Sequence, residues 1–238
     1  MLQTLLDMLY PVRCPVCTGI VTPKDRNICV SCEMKLHFIS EPRCTKCSKP
    51  IEDEQAEYCS DCGRKNYHFE YGFSVWVYDD VIKKSVSDFK YRHKKEYSKY
   101  FVREVVSRYG SKILKINPDA LVPVPIHRSK YRERGYNQAD ILAKGIGREL
   151  NIPVLSDLLI RNKKTLPQKQ LSDKERLQNL NDAFEFNKTY IGRRKLNKLL
   201  LVDDIYTTGS TIEACTNVLI KNGAGKVYFV TLCIGKGF

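Results

Sequence analysis

Leu199-Leu-Leu-Val-Asp203-Asp204-Ile-Tyr-Thr207-Thr208-Gly209-Ser210-Thr211 is the stretch that decides the fold. Four consecutive apolar residues after Lys198 have the pattern of a strand buried on both faces, as in a parallel sheet. Two adjacent carboxylates follow, then a hydroxyl-rich turn with one glycine, then helical spacing from Thr211 to Lys221. Such a turn offers backbone amides and Thr/Ser hydroxyls to an anion, a phosphate above all. Gly209 lets the backbone come close to it. The carboxylates of Asp203 and Asp204 would repel a phosphate at the same spot, so they need an uncharged partner. The vicinal hydroxyls of a ribose 5′-phosphate meet that demand. A plain capped helix is the alternative, but two ionised carboxylates closing a buried strand are costly without a partner. Removing this like-charge pair is expected to leave stability unchanged or raised.

Outward from this stretch, strands and helices alternate. Residues 74–78, 120–124, 198–202 and 227–232 read as strands, and 183–186 as a weaker one. Residues 80–90, 96–115, 137–150 and 211–221 read as helices, with Phe101, Val105, Val106 and Tyr109 on one face of the second. Asn222-Gly223 supplies a left-handed stop for the last. The alternation predicts an α/β fold with a mostly parallel sheet, whose ligands bind at the C-terminal strand ends. Val122-Pro-Val-Pro125, followed by Arg128, Arg132, Arg134 and Gly135-Tyr-Asn-Gln138, puts a basic loop after a sheet strand. Three arginines there suit a pyrophosphate or a nucleic-acid backbone. Residues 161–179 are polar and basic without apolar period and read as a further loop.

The cysteines mark a different region. Eight of the ten precede residue 63, in four Cys-x-x-Cys pairs: Cys14/Cys17, Cys29/Cys32, Cys44/Cys47 and Cys59/Cys62. The second two pairs repeat the first two at an offset of 30 residues. A disulfide framework needs a secreted protein, and a thioredoxin-type pair needs one such motif, not four in a row. Structural zinc needs four soft ligands, which two knuckles supply. Two closed Zn2+ sites are expected, sequential (14/17/29/32 and 44/47/59/62), with cross-bracing as the alternative. With so few large apolar residues between the pairs, the segment needs its metal to fold. Cys215 and Cys233 read as small buried hydrophobes.

Charge divides the 238 residues in the same way. Residues 1–72 hold 9 basic and 10 acidic residues, whereas 73–238 hold 31 and 17, a net of +14. That excess suits a polyanion or a phosphorylated ligand. Residues 83–115 carry eleven Lys+Arg against three acids. Lys83, Lys84, Lys90, Tyr91, Arg92, Lys94 and Lys95 are the candidate contacts to nucleic acid, since basic residues among aromatics clamp a backbone and stack bases. Tyr97, Tyr100 and Tyr109 fit equally well as core residues of a helix pair. No stretch approaches 18 apolar residues and the first ten carry no basic n-region, so a soluble, intracellular protein is expected. A membrane-surface contact through residues 1–10 is the weaker reading, because the segment lacks a basic face.

The thirteen residues 199–211 resemble the 5-phosphoribosyl-1-pyrophosphate (PRPP) loop of type I phosphoribosyltransferases at every position. That resemblance implies Asp203 and Asp204 as catalytic residues holding the ribose hydroxyls, and Thr207, Thr208, Gly209, Ser210 and Thr211 round the 5′-phosphate. It also implies Arg128, Arg132 and Arg134 in a pyrophosphate loop, Mg2+ accompanying PRPP, and residues 161–179 as a flexible lid. Four paired knuckles, Pro-Val-Pro, Arg-Gly-Tyr-Asn-Gln, Thr-x-x-Gln, Arg-x-x-Asn and Val-Asp-Asp-x-Tyr-Thr-Thr-Gly together resemble the ComF family of bacterial competence proteins, over essentially the whole chain. The resemblance implies a double zinc ribbon at 1–72 and a phosphoribosyltransferase-like domain at 73–238. It implies a role in natural transformation: handling incoming single-stranded DNA in the cytoplasm, at the inner face of the membrane, beside a DNA-uptake helicase. The alternative is a phosphoribosyltransferase whose acceptor cannot be found in the sequence.

Overall fold

A computed structural model describes residues 11–23, 26–162, 183–190 and 196–235. At its centre lies a four-stranded sheet in the order β1 (Gly72–Val77), β6 (Lys226–Ile234), β5 (Lys198–Tyr206), β2 (Ala120–Pro123), every pair parallel. The two-residue period sends Leu199 and Leu201 of β5 into one core and Leu200 and Val202 into the other. The first core is covered by α7 (Ser210–Lys221), with an antiparallel pair, β3 (Leu159–Arg161) and β4 (Phe184–Phe186), against it. The second is covered by α4 (Ser98–Ile116) and α6 (Gln138–Leu150). Between β1 and α4, α3 (Asp80–Tyr91) starts where Asp79 accepts the amides of Val81 and Ile82. Such buried rings as Phe89, Phe101 and Phe229 each contribute about 2–3 kcal/mol of transfer free energy.

The cysteine-rich segment closes the open edge of the sheet, which would otherwise present unpaired backbone groups. Its residues 37–39 run antiparallel to β1: Val77 N–H donates to the His37 carbonyl and Ile39 N–H to the Val75 carbonyl, both at 2.9 Å. Two short helices, α1 (Val30–Glu33) and α2 (Ser60–Arg64), complete the knuckles. Cys14, Ile28, Cys32 and Leu36 enter one core beside Trp76 and Tyr100. Cys44, Cys47, Cys59 and Cys62 enter the other beside Tyr67, Phe69, Tyr206 and Phe229. The ribbon is therefore built into both layers rather than tethered to them.

Two expectations change, and one open alternative is decided. The strand after Lys198 does not stop at the carboxylates, because Asp203, Ile205 and Tyr206 keep pairing with Thr231, Cys233 and Ile234 of β6. The basic segment after β2 is a helix, α5 (Arg128–Arg134), and not a loop: the His127 ring accepts the Ser129 amide at one end, and Gly135 at φ 74° stops the other. The tyrosines at 97, 100 and 109 are buried core residues. Cys215 and Cys233 are fully buried, as expected. The lid assigned to 161–179 falls, from 163 onward, outside the described residues, as does the membrane contact at 1–10. Among the described residues no helix is long and apolar enough to cross a membrane.

Candidate functional site

Consecutive residues of a strand face opposite ways, so Asp203 and Asp204 belong to different layers. Asp204, 3% exposed, faces α3 and meets the Lys90 ammonium at 2.9 Å. Burial works against the charge on Lys90, but Asp204 and Asp203 overcome it and hold its pKa above the ordinary lysine value. Asp203 accepts the Asp204 amide at 2.8 Å. Burial and the neighbouring Asp204 carboxylate push its own carboxyl up to about 7, while that amide, Lys90 and Arg161 pull the other way. Arg161, its guanidinium over the Phe184 ring at 5.1 Å, is the cation on the Asp203 side.

Past Tyr206 the chain turns through Thr207 and Thr208 to Gly209, whose φ of +78° is open to glycine and strained for other residues. A Cβ there would also lie 2.3 Å from the Tyr206 hydroxyl. The Thr208 and Ser210 hydroxyls touch at 2.9 Å above the first turn of α7, whose leading amides have no intrahelical acceptor. Hydroxyls and free amides thus gather at one helix start, the arrangement that binds a phosphate. The ribbon supports this turn from below. The Tyr67 hydroxyl donates to the Thr208 carbonyl at 2.6 Å. The Glu213 carboxylate, buried in α7, takes the His68 amide at 2.9 Å and the His68 Nδ1 at 2.5 Å. Tyr67 stacks on Phe69, which meets Tyr206 and Phe229 edge-on.

Of the three arginines on α5, Arg134 is buried and Arg128 and Arg132 are exposed. Arg134 donates to Gln138 at 2.9 Å and to the Tyr91 hydroxyl at 3.0 Å, with its guanidinium 4.6 Å from the Tyr91 ring centre. Its charge reaches Lys90 and so borders the carboxylates. The candidate nucleic-acid contacts are dispersed. Lys83 and Lys84 are exposed, Lys90 points at Asp204, and Tyr91 lies under Arg134. Arg92 pairs with Asp88 at 3.4 Å, Lys94 with Glu96 at 3.5 Å, and Lys95 lies over the Tyr136 ring at 4.6 Å. Sequence reasoning gave no pocket role to Lys90, placed Arg161 only at the start of the lid, and gave no role at all to Tyr67 and His68. For Lys90 a signal existed: it falls eight residues after Ile82, on the face of α3 that Val86 and Phe89 bury.

The eight ribbon cysteines form two sequential clusters, 14/17/29/32 and 44/47/59/62, each with its sulfurs within 4.8 Å of one another. None of them is joined in a disulfide. A tetrahedral zinc with Zn–S of about 2.3 Å separates its sulfurs by about 3.8 Å, and Cys47 and Cys59 stand 3.6 Å apart. At Cys14, burial opposes the thiolate, but the amides of Cys17, Cys29 and Val16 prevail and lower its pKa to about 7. Both donor sets fit structural Zn2+.

The sequence model of the double zinc ribbon domain matches residues 5–63. Competence protein F of Haemophilus influenzae is 29% identical over 224 residues, covering 92% of this chain and 95% of that one. The DNA utilization protein YhgH of Escherichia coli is 27% identical over 230 residues, covering 95% and 98%. A purine phosphoribosyltransferase from Pyrococcus horikoshii, 17% identical, overlaps 57% of this chain and 73% of its own with a TM-score of 0.36. Competence protein ComFC of Bacillus subtilis is 30% identical over 208 residues, covering 84% of this chain and 80% of that one, and the chain belongs to the ComF family of competence proteins.

Proposed function

We propose that this protein handles single-stranded DNA during natural transformation and carries a pocket for PRPP or a related phosphoribosyl ligand. The observation that supports the pocket is the close sequence of two functions on one strand end. Asp203 and Asp204, with Lys90 and Arg161 beside them, precede an anion turn of free amides and hydroxyls at Thr207, Thr208, Gly209, Ser210 and Thr211. In this reading the carboxylates take the ribose hydroxyls and the turn takes the 5′-phosphate. Mg2+ would arrive with PRPP and offset the pyrophosphate charge, and Arg128, Arg132 and Arg134 of α5 would in this reading take the pyrophosphate. The names of the relatives, two competence proteins and a DNA utilization protein, support DNA as the partner. The ribbon (1–72) and the α/β domain (73–238) act in this proposal as one cytoplasmic unit beside a DNA-uptake helicase.

A second reading is phosphoribosyl transfer, favoured by the cations round the carboxylates. The anomeric C–O bond would break with its electron pair leaving on pyrophosphate, and an acceptor would add to that carbon and lose its proton. Catalysis would then be positioning and electrostatic stabilisation of the leaving group. Titration calorimetry of the intact protein with PRPP and Mg2+, and separately with a single-stranded oligonucleotide, tests both. Heat from each ligand is expected. No PRPP binding refutes the pocket, and no DNA binding refutes the transformation role.

A further inference from the structure

At the opposite end of the sheet from the carboxylates, a cleft of about 560 Å³ opens between the ribbon, the last turn of α4 and the starts of β1 and β5. It lies five residues from Asp203 along β5, about 17 Å. Arg43 of the ribbon, Lys112 and Lys115 of α4, and Lys198 of β5 line it, with Glu41 as the one acid among its lining residues. Lys112 and Lys115 sit three apart, on one helix face. Both are exposed, and among the described residues neither pairs with a carboxylate. Arg43 donates to Glu41 at 2.8 Å and Lys198 to the Ile116 carbonyl at 3.1 Å.

The wall of the cleft is aromatic. Tyr71, 37% exposed, meets the buried rings of Phe73 and Tyr228 edge-on at 5.6 and 5.0 Å. Phe73 in turn stacks on Tyr109 at 4.9 Å. Tyr71 is thus an accessible ring held in place by the core behind it. A rigid ring inside a cationic rim suits a ligand that combines a flat π-face with repeated negative charge. An apolar peptide would leave the lysines unmatched, and bare phosphate would leave the ring unused. We propose that this cleft holds single-stranded DNA, with phosphates on Lys112, Lys115 and Arg43 and a base stacked on Tyr71. The proposal rests on the DNA-handling reading and adds the place: the strand lies at the end of the sheet remote from the phosphoribosyl pocket, and both ligands can be bound together.

Fluorescence anisotropy of a labelled oligothymidylate against the full-length, zinc-loaded protein, across a salt series, tests it. Lys112→Ala with Lys115→Ala is expected to weaken binding about tenfold or more at about 50 mM salt, and to make the log–log salt slope shallower by about 1.4. Tyr71→Ala is expected to weaken it about 5- to 150-fold without changing that slope, because stacking releases no counterions. Tyr71→Phe keeps the ring and its packing and is expected to bind like wild type. Saturating PRPP is expected to leave the anisotropy unchanged. Wild-type binding that survives the double lysine variant, but is lost when Lys83, Lys84, Lys94 and Lys95 are neutralised, overturns the cleft and keeps the DNA role. Competition by PRPP overturns the cleft in favour of the pocket. A wild-type protein that binds no single strand overturns the DNA role itself.

Discussion

Replacing Tyr67 by phenylalanine removes one oxygen, and with it the bond from the ribbon to the turn at Thr208. The ring keeps its stack on Phe69 at 5.0 Å, so little packing is lost. What disappears is a 2.6 Å hydrogen bond to the Thr208 carbonyl. A neutral bond of this kind is worth about 0.5–1.5 kcal/mol net. Thr208 is exposed, so water can replace the donor, which sets the loss near the lower half of that range. A chain of this size should then melt about 2–4 °C lower per kcal/mol. If the bond holds the turn in its anion-binding shape, the same free energy reappears in ligand affinity, at most about tenfold for 1.4 kcal/mol. Differential scanning fluorimetry and calorimetry with PRPP and Mg2+ measure the two effects on one sample. A lower melting temperature with an unchanged Kd refutes the reasoning: Tyr67 would then join the ribbon to the domain without shaping the turn. Gly209→Ala supplies the upper bound. It forces a side chain into φ +78° and against the Tyr206 hydroxyl, and should abolish detectable binding.

Native mass spectrometry should find two Zn2+ per chain, and Cys17→Ser or Cys47→Ser should each leave one. Only Cys47→Ser should also weaken PRPP binding, because its cluster shares a core with Tyr67 and Tyr206; equal loss from both variants would refute that division. Asp203 makes stability depend on pH in a stated direction. Its folded pKa of about 7 lies above the ordinary 3.8, so its contribution is fully present below about pH 4 and lost as the pH rises to about 7. Asp203→Asn should therefore raise the melting temperature at pH 8 and leave it near wild type at pH 4; a gain confined to pH 4 would contradict the assignment. Asp204→Ala should do the reverse of what a like-charge pair suggests, since it takes the partner from the half-buried Lys90 ammonium. A cost of about 3–5 kcal/mol is expected, and Lys90→Met on top of it should restore much of the loss. Chemical denaturation that shows Asp204→Ala as stable as wild type would refute the pairing.

Most of the α/β layer was legible because each element carries a local signal. Continuous apolar runs mark β5 and β6, Asp79 and Asn137 cap their helices, and Asn117 and Asn151 end theirs at positive φ. The cysteine spacing specified two clusters, but only the folded chain shows that they are sequential. Helix α5 escaped because it is polar all round, and its only strong signals are the cap at His127 and the stop at Gly135. The ribbon's hold on the turn at Thr208 escaped for a different reason. Tyr67 and Thr208 are 141 residues apart, and nothing in a polar, metal-dependent segment announces which distant carbonyl one hydroxyl will meet.

The carboxylate pair shows how a motif can be read correctly as a unit and incorrectly as a balance of charge. Adjacent in sequence, Asp203 and Asp204 suggest two like charges sharing one place. The strand separates them, since its period of two sends one side chain to each layer. Asp204 then finds Lys90, carried by the amphipathic face of α3, and Asp203 is left with burial, Arg161 and the Asp204 amide. The outcome is one carboxylate paired with the Lys90 ammonium and one whose pKa is pushed up to about 7. A ribose diol needs acceptors for two hydroxyl protons, and the Asp204 carboxylate beside Lys90 provides one. Asp203 becomes the stronger acceptor once its proton has left, so a ligand that donates hydrogen bonds to both groups favours the deprotonated form. Binding of such a ligand should release a fraction of a proton per site near pH 7, and none when Asp203 is asparagine. Calorimetry in buffers of different ionisation enthalpy measures that fraction directly, and a wild-type value of zero near pH 7 would mean that Asp203 does not touch the ligand.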